Sequence, residues 1–178
     1  MVLKIVLLGD GTVGKTTIRL RYLGYGFQAN YLQTIGADFA LKDITINDQT
    51  FKIQIWDLAG QVSFDKIRIN YLQGCHSAFI VYDVSNPDSY QSVQVWYEEL
   101  ASGLPEKLPI VIIGNKIDLR KENKDILSEL EGYKMAERLA RRNGNMPVFY
   151  IETSAKTGEN INKAFSILTE ELKKIYKI

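Results

Sequence analysis

The stretch GDGTVGKTT, residues 9–17, directly follows the apolar run MVLKIVLL and directly precedes IRLRYL. It matches the spacing G-x-x-x-x-G-K-[ST], in which Gly9 and Gly14 bracket a loop that Lys15 and Thr16 close. Glycines permit backbone conformations that a β-carbon forbids, so successive N–H groups can point at phosphate oxygens beside the positive end of the next helix. The stretch therefore predicts a phosphate-binding loop between a buried strand and a helix.

The side chains that close this loop indicate how phosphates are held. Lys15 is expected to neutralise the β- and γ-phosphates of a nucleotide, and the Thr16 hydroxyl to coordinate Mg²⁺, a hard cation that prefers oxygen ligands. The alternative is an ordinary glycine turn with a solvated lysine, and the strand-loop-helix setting argues against it. The loop residues predicted to contact the nucleotide are Gly11, Thr12, Val13, Gly14, Lys15, Thr16 and Thr17.

Short apolar runs alternate along the chain with segments of helical period. Runs rich in Val and Ile at 2–8, 78–83, 109–115 and 147–152 are typical of strands that are covered on both faces. FALKDITI and FKIQIWD show period-two alternation on either side of NDQT, which predicts a β-hairpin. We therefore predict an α/β fold, a P-loop NTPase three-layer sandwich with a six-stranded, mostly parallel sheet and one antiparallel edge strand.

Two helices are marked by their first residues as well as by their periodicity. Apolar residues recur every three or four positions between 90 and 100, after Ser85, Asn86 and Pro87 supply a cap and a helix-start proline. The same spacing runs from 161 to 175 after a predicted cap at Asn160. In the segment from 120 to 146, KENKDILSEL predicts either a small inserted helix or a solvated loop.

Length, charge and cysteine content limit the function classes. The chain has 178 residues, which fits one domain over 1–178. It carries 22 basic and 21 acidic residues, so no global field draws it to nucleic acid, and we expect no nucleic-acid partner. Cys75 is the single cysteine, so no intramolecular disulfide can form, and MVLKIVLL does not resemble a secretory signal. We expect a cytoplasmic protein.

Two polar motifs that follow predicted strands point to the base of the nucleotide. GNKID places Asn115, Lys116 and Asp118 at the end of PIVII, where a carboxylate can accept two N–H donors from guanine. Adenine offers an acceptor at one of those positions and would leave a buried charge unpaired. ETSAKTG follows the last strand, where the Ala155 N–H can donate to the guanine carbonyl. Ser154 and Lys156 are expected to brace that loop. Together the two motifs predict a guanine pocket.

Residues around the hairpin point to the γ-phosphate. Asp57 follows the apolar run IQIW and fits a Mg²⁺-holding aspartate, while the Gly60 N–H is free to meet the γ-phosphate. Gln61 is a poor general base, but its amide can position an attacking water. Together with Lys15 and Thr34, it makes up the set of predicted catalytic residues. The Thr34 hydroxyl is expected to reach Mg²⁺, giving Thr16, Thr34 and Asp57 as the predicted metal ligands.

With these motifs in order, the sequence resembles the Ras superfamily of small GTPases, and its Rab branch most closely. GDGTVGKT, TIGADF, WDLAGQ, NKID and TSAKTG cover essentially the whole chain. The resemblance implies GTP/GDP and Mg²⁺ as cofactors, Phe27 against the guanine, and Tyr31 closing over the phosphates. It also implies an exchange factor, a GTPase-activating protein and effectors that contact Phe39, Trp56, Tyr71 and the two switch segments, around Thr34 and after Asp57.

The sequence departs from the Rab pattern at several positions. Gly11 followed by Thr12 is nearer the Rho version of the phosphate loop, Gln33 stands where a proline is usual, and Val62 replaces a glutamate. The last residues, EELKKIYKI, carry no cysteine for prenylation, so we expect no lipid anchor within this stretch. We expect a monomer that is cytoplasmic or reaches membranes peripherally, through a partner or a further C-terminal tail.

Three functions compete at this point. The favoured one is a GTP-hydrolysing switch, in which GTP and Mg²⁺ order Thr34 and Gly60 and hydrolysis releases both segments. A second is a module that binds guanine nucleotide for stability, with little or no hydrolysis, and presents aromatic residues to a partner. A third is an ATP-using kinase or ATPase, which NKID and TSAK argue against.

Overall fold

The computed structural model describes residues 2–27, 34–46, 49–60, 65–123 and 126–177. Its strands are β1 Val2–Leu8, β2 Ala37–Ile46, β3 Gln49–Leu58, β4 Ser77–Asp83, β5 Ile110–Asn115 and β6 Val148–Thr153. Its helices are α1 Lys15–Leu23, α2 Asp65–Leu72, α3 Pro87–Gly103, α4 Glu129–Ala140 and α5 Ile161–Tyr176. The predicted strands are confirmed to within a residue or two at their ends, where assignments are least certain.

Within the described residues the strands form one sheet in the order β2-β3-β1-β4-β5-β6. Every neighbouring pair is parallel except β2 and β3, which pair antiparallel from Ala37 opposite Leu58 to Ile46 opposite Gln49. β2 is therefore the antiparallel edge strand that the alternating hairpin residues predict. The fold class predicted from the sequence is confirmed.

Hydrophobic cores cover both faces of the sheet. On one face, Ile18 of α1 and Phe165 of α5 pack on strand residues such as Val111. On the other face, residues of α2, α3 and α4 pack on strand residues such as Ile112. Because both faces are buried, the central strands are nearly continuous runs of Val, Ile and Leu, as parallel strands require.

The starts of two helices test the capping predictions. Asn86 caps α3, because its side-chain oxygen accepts from the N–H groups of Asp88 and Ser89 at 3.0 and 3.2 Å. Asn160 does stand immediately before α5, but its side chain makes no cap hydrogen bond. It has a left-handed φ of 59°, and its amide donates instead to Glu152 O at 2.9 Å. The position of that cap was right and its mechanism wrong.

The segment between β5 and β6 contains a short 3₁₀ helix, Ile117–Lys121, and then α4. α4 begins with a capping box, in which Ser128 and Glu131 satisfy each other's backbone N–H groups. Within KENKDILSEL, the described residues 122–123 and 126–128 lie in neither a helix nor a strand, and α4 begins only at Glu129, so the described part of this stretch fits the loop alternative. Residues 124 and 125 lie outside the described part of the chain.

The carboxyl ends of β1, β3, β4, β5 and β6 lie along one edge of the sheet. The phosphate loop, WDLAGQ, GNKID and ETSAKTG all follow strands at that edge. Ligands of open parallel sheets bind at the carboxyl ends of their strands, so the fold collects the predicted motifs at the expected place. In the part of the chain described, no helix is both long and apolar enough to cross a membrane.

Candidate functional site

The phosphate loop needs glycine at its two ends. Gly9 and Gly14 have φ angles of 139° and 103°, in the range that favours glycine. A β-carbon on Gly9 would overlap the backbone carbonyl of Val81, and one on Gly14 would overlap the Asn115 amide. The loop therefore packs directly against the ends of β4 and β5. α1 begins at Lys15, with its first-turn N–H groups facing the loop and no acidic residue in that turn.

Lys15 is 7% exposed, and its ammonium lies inside the loop. Nζ donates to the carbonyl oxygens of Gly9 and Asp10, at 2.7 Å in each case. These bonds hold the charge beside the left-handed turn of the loop, where Thr12 has a φ of 66°. Two backbone carbonyls therefore hold a buried ammonium inside the loop, where it can bind phosphate oxygens.

Three oxygen-bearing side chains from separate elements converge beside Lys15. Thr16 Oγ1 donates to Asp57 Oδ2 at 2.5 Å and lies 3.0 Å from Thr34 Oγ1. Thr34 Oγ1 also donates to Asp57 Oδ2, at 3.3 Å. The other carboxylate oxygen, Oδ1, is buried and has no hydrogen-bond partner among the described residues. Hydroxyl and carboxylate oxygens with an unsatisfied lone pair suit Mg²⁺, so the predicted metal ligands fit the ion.

Burial dominates the electrostatics of Asp57. The residue is fully buried, and the loss of water raises the pKa of its carboxyl. The hydrogen bond from Thr16 and the positive charges of Lys15 and Arg19 oppose that rise. The charged form of this buried carboxylate is therefore stabilised by the cations around it, and a bound Mg²⁺ would add the largest such charge.

Gly60, just after β3, lies against the phosphate loop. A β-carbon at Gly60 would come within 2.5 Å of the carbonyl carbon of Asp10 and of Gly9 O, and within 2.6 Å of Gly11 N. Real β-carbons do not approach backbone atoms so closely, so only glycine fits at this position. The start of the segment after β3 therefore lies directly against the backbone of the phosphate loop.

Next to the phosphate loop is a cavity of about 460 Å³. This volume lies in the range of sites that hold a small molecule or cofactor. Phe27, which is 46% exposed, forms part of its wall. The other lining residues are Thr12, Gly14, Thr17, Asn115, Lys116, Asp118, Leu119, Ala155 and Lys156, so the cavity brings together both predicted base-binding motifs.

Asn115 fastens the phosphate loop to the last strand. Its Nδ2 donates to Val13 O at 2.9 Å, while its Oδ1 accepts from Thr153 Oγ1 at 3.0 Å and from the Ala155 N–H at 3.1 Å. Every polar atom of this side chain has a protein partner. The Ala155 N–H predicted for the guanine carbonyl is therefore already shared with Asn115.

Asp118 stands at the cavity mouth with one carboxylate oxygen held. Ser154 Oγ donates to its Oδ1 at 2.5 Å, and the ammonium of Lys156 lies 4.0 Å from its Oδ2. Lys116, in a left-handed conformation with φ 71°, forms an ion pair with Asp83 Oδ2 at 2.7 Å. Ser154 and Lys156 therefore both contact the carboxylate of Asp118, while the predicted role of these two residues in the loop stays a prediction.

Several predicted positions lie outside the described residues. They are Gln61, predicted to position water, Tyr31, predicted to close over the phosphates, and the departures at Gln33 and Val62. Their roles stay predictions.

The three aromatics predicted to face effectors lie side by side. The rings of Phe39 and Trp56 stack with centroids 4.9 Å apart, and those of Trp56 and Tyr71 lie 5.5 Å apart. Phe39 is 49% exposed, and Lys4 Nζ lies 4.7 Å from the Trp56 ring centroid. Directly opposite residues on an antiparallel pair share a face, and Phe39 and Trp56 are opposite in the β2–β3 register. The three aromatics form one continuous cluster, in which Phe39 is exposed while Trp56 and Tyr71 are partly buried against the core.

Sequence reasoning missed three contacts around the site. Asp10 binds Trp96 of α3, Asp83 pairs with Lys116, and buried Arg19 pairs with Asp38. The partners are far apart in the chain, so no local pattern connects them. One available signal was that Asp83 ends a strand at the same edge as the motifs.

Comparisons with known proteins agree with this geometry. A family model described as Ras family matches residues 4–174. Ras-related protein RABG3f of Arabidopsis thaliana is 38% identical over 173 residues, which cover 95% of this chain and 81% of that protein. Ras-related protein Rab7 of Pisum sativum is also 38% identical, with the same coverage. Ypt/Rab-type GTPase YPT7 of Saccharomyces cerevisiae is 39% identical over 169 residues, covering 92% of this chain and 78% of that protein.

The predicted resemblance is confirmed, and with it the general chemistry. Members of this family bind GTP and GDP with Mg²⁺, and they work with exchange factors, GTPase-activating proteins and effectors. The oxygen cluster at Thr16, Thr34 and Asp57 and the cavity beside the phosphate loop suit those ligands. The chain belongs to the Ras family, on its Rab-like branch, and is a Mg²⁺-dependent GTPase that switches between GDP and GTP forms.

Proposed function

We propose that this Rab-like switch reads the γ-phosphate through Thr34 and Gly60 and the base through Asp118. The observation that carries the proposal is the convergence of Thr16, Thr34 and Asp57 oxygens beside the Lys15 ammonium. Thr34 belongs to the segment before β2, and its approach to Thr16 joins that segment to the phosphate loop. Loss of the γ-phosphate would remove a partner that the Thr34 segment and the Gly60 segment share.

In the proposed reaction a water attacks the γ-phosphorus of GTP, the bond from this phosphorus to the oxygen that bridges it to the β-phosphorus breaks, and GDP leaves with that oxygen. Inorganic phosphate keeps the oxygen and one proton of the water, and the other proton goes to solvent. Lys15 binds oxygens of the β- and γ-phosphates, and the loop N–H groups orient them. Thr16, Thr34 and Asp57 would hold Mg²⁺, which would supply positive charge against the negative charge of the phosphates. Gln61 orients the water. An activating protein is expected to raise turnover by about 10³- to 10⁵-fold, a range that includes Ras itself.

We further propose that Phe39, Trp56 and Tyr71 form the effector surface. They lie on the strands and helix that flank the Thr34 and Gly60 segments, so a change in either segment reaches this surface directly. Phe39 is exposed and Trp56 and Tyr71 lie partly buried beside it, and clustered aromatics of this kind often dominate the binding energy at interfaces. Relatives named Rab7 and YPT7 favour a role in membrane trafficking, with the chain acting as a monomer at a cytoplasmic membrane surface.

The decisive experiment is single-turnover phosphate release from GTP-loaded protein, with Gln61→Leu and Lys15→Ala measured beside it. Slow release that is lost in Gln61→Leu, with bound nucleotide retained, is the expected result. Lys15→Ala should fail to retain nucleotide. Equal release from the wild type and Gln61→Leu would contradict the proposed role of Gln61 and favour a binding module that does not hydrolyse GTP.

The partner surface is tested separately, by replacing Phe39 with Ala and measuring capture of an effector by GTP-loaded protein. Binding should fall while phosphate release stays unchanged, because Phe39 does not touch the phosphate loop. Leu41→Ala is the matched control, since Leu41 is 54% exposed on the same strand two residues further on. An equal loss in both variants would contradict a specific aromatic surface.

A further inference from the structure

Arg19 is a buried cation beside the proposed metal ligands. It lies on α1 one turn after Thr16 and is only 5% exposed. Its guanidinium donates to Asp38 Oδ2, while its Nε has no hydrogen-bond partner among the described residues. A buried guanidinium with a donor left over retains a strong demand for an acceptor.

Two carboxylates compete for that cation. Asp38 and Asp57 are directly opposite each other in the β2–β3 register, so both side chains project from the same face of the sheet. Arg19 lies on α1 three residues after Thr16, whose hydroxyl donates to Asp57 Oδ2, so the face of α1 that carries Arg19 also faces Asp57. The ion pair that the structure shows is with Asp38.

The carboxylates of Asp38 and Asp57 differ in their exposure and in their other contacts. The Asp38 side chain is 62% exposed and has no other role in the site, whereas Asp57 is fully buried and shares its Oδ2 with Thr16 and Thr34. If Arg19 moved to Asp57, it would bind the carboxylate that the metal needs. A guanidinium and Mg²⁺ cannot both occupy the same lone pairs.

We propose that Asp38 is a positioning residue that draws Arg19 away from Asp57 and so keeps this carboxylate available to Mg²⁺. The inference rests on the proposed assignment of Asp57 as a metal ligand. Asp38 touches neither nucleotide nor metal and acts only through Arg19. The proposal predicts that the loss of the Asp38 carboxylate weakens Mg²⁺ binding only while the Arg19 guanidinium is present.

The test is calorimetric titration of Mg²⁺ into GDP-loaded protein. Asp38→Asn should weaken Mg²⁺ binding by about tenfold or more, the scale seen when an outer-shell partner of a metal ligand is lost. The double variant Asp38→Asn with Arg19→Met should return to within about twofold of the wild type, because no cation is left to compete. Methionine keeps much of the buried length of the arginine stem.

Two controls separate the possible failures. Asp43→Asn removes another β2 aspartate, one that pairs with Lys52 where both side chains are more than half exposed, and should leave Mg²⁺ affinity unchanged. Thr16→Ala tests the metal site itself. If Thr16→Ala binds Mg²⁺ normally, the proposed site is wrong. If it fails to bind Mg²⁺ while Asp38→Asn matches the wild type, only the role of Asp38 is overturned.

The double variant distinguishes positioning from a structural role. If Asp38 merely supports the start of β2, the defect of Asp38→Asn persists when Arg19 is also replaced, and that result overturns the proposal. Thermal unfolding of each metal-free, GDP-loaded variant checks that the fold is intact. A second readout needs no metal: the guanidinium resonances of Arg19 are compared in the wild type, Asp38→Asn and Asp38→Ala. If Arg19 moves to Asp57 when the carboxylate at position 38 is lost, both variants should show the same shifted resonances.

Discussion

Trp96 Nε1 donates to Asp10 Oδ1 at 2.7 Å, which joins the middle of α3 to the phosphate loop across 86 residues of sequence. Asp10 also receives Lys15 Nζ on its backbone carbonyl, and Gly60 packs against its carbonyl carbon. Its carboxylate is turned toward α3 and away from the phosphates it would otherwise repel. The indole N–H therefore holds the negative charge of Asp10 away from the anion-binding side of the loop.

Replacement of Trp96 by Phe is expected to destabilise the protein by about 1.5–3 kcal/mol beyond the loss of ring area, the usual value of a hydrogen bond to a charged group. Trp56→Phe is the control, because the buried Trp56 Nε1 has no partner among the described residues and loses no bond. Urea unfolding measures both. In an Asp10→Ala background the cost of Trp96→Phe should shrink, and an undiminished cost would contradict the assigned bond.

The sequence predicts the sheet and all the residues that line the cavity except Leu119. Runs of Val and Ile buried on both faces predict parallel strands, and the short polar motifs after them follow a spacing that chemistry fixes. It was insufficient for Arg19. Its neighbour Ile18 gives the apolar period of α1, so Arg19 looks like an ordinary surface residue, and its burial depends on Asp38 arriving from β2.

A similar limit applies to Asn160. Its residue type and position predict a helix cap, but the nearby carbonyl of Glu152 on β6 offers a better partner for its amide. Only the three-dimensional arrangement of β6 and α5 decides between the two hydrogen bonds. Local propensity was overridden by a tertiary contact in this case.

Asp118→Asn is expected to change the base that the protein prefers. Ser154 Oγ holds one carboxylate oxygen at 2.5 Å, so the side chain presents its acceptors in a fixed orientation. An asparagine replaces one acceptor by a donor, which faces an N–H of guanine and should lower GDP affinity by about 10²-fold or more. Xanthosine diphosphate carries a carbonyl at that position and should bind more tightly than GDP.

Competition between the two diphosphates, measured with a fluorescent nucleotide, checks this prediction. Asp88→Asn is the control, since this aspartate is exposed at the start of α3 and far from the cavity lining. A variant that loses GDP and gains no xanthosine diphosphate would show that Asp118 supports the loop rather than reads the base.

The single thiol should be inert in the folded protein. Cys75 Sγ donates to Ser77 O at 2.9 Å, and burial raises the pKa of the thiol to about 12. The thiolate is the reactive form, so iodoacetamide at pH 8 should leave native Cys75 unmodified, while urea-unfolded protein, with a thiol pKa of about 8.5, reacts. Mass spectrometry counts the adduct. Equal labelling of both states would mean that the thiol is neither buried nor held.

Cys75 also links stability to pH. Because its folded pKa is raised, the unfolded state loses its proton first, and the free energy of unfolding should fall as pH rises above about 8.5 toward the folded value near 12. In Cys75→Ala the free energy of unfolding should fall less steeply with pH over this range, because the contribution of the thiol is gone. An identical slope in both proteins between pH 8.5 and 10 would contradict the raised pKa.

Gly132→Ala tests how tightly α4 is packed on β6. Alanine is about 1 kcal/mol better than glycine inside a helix, so propensity alone predicts stabilisation. A β-carbon on Gly132, however, would overlap the ring of Tyr150. That ring cannot shift freely, because its hydroxyl donates to Glu152 Oε1 at 3.0 Å and lies 2.9 Å from the Tyr82 hydroxyl. Overpacking costs of about 1–3 kcal/mol should outweigh the propensity gain.

Thermal unfolding of Gly132→Ala should therefore show a lower midpoint than the wild type. Gly26→Ala is the matched control, because a β-carbon on Gly26 meets nothing within 4 Å. In a Tyr150→Leu background the overlap disappears, and Gly132→Ala should then stabilise the protein as helix propensity alone requires. If Gly132→Ala is already stabilising with Tyr150 in place, the ring moves more easily than its two hydroxyl contacts imply, and α4 is not held on β6 by this close approach.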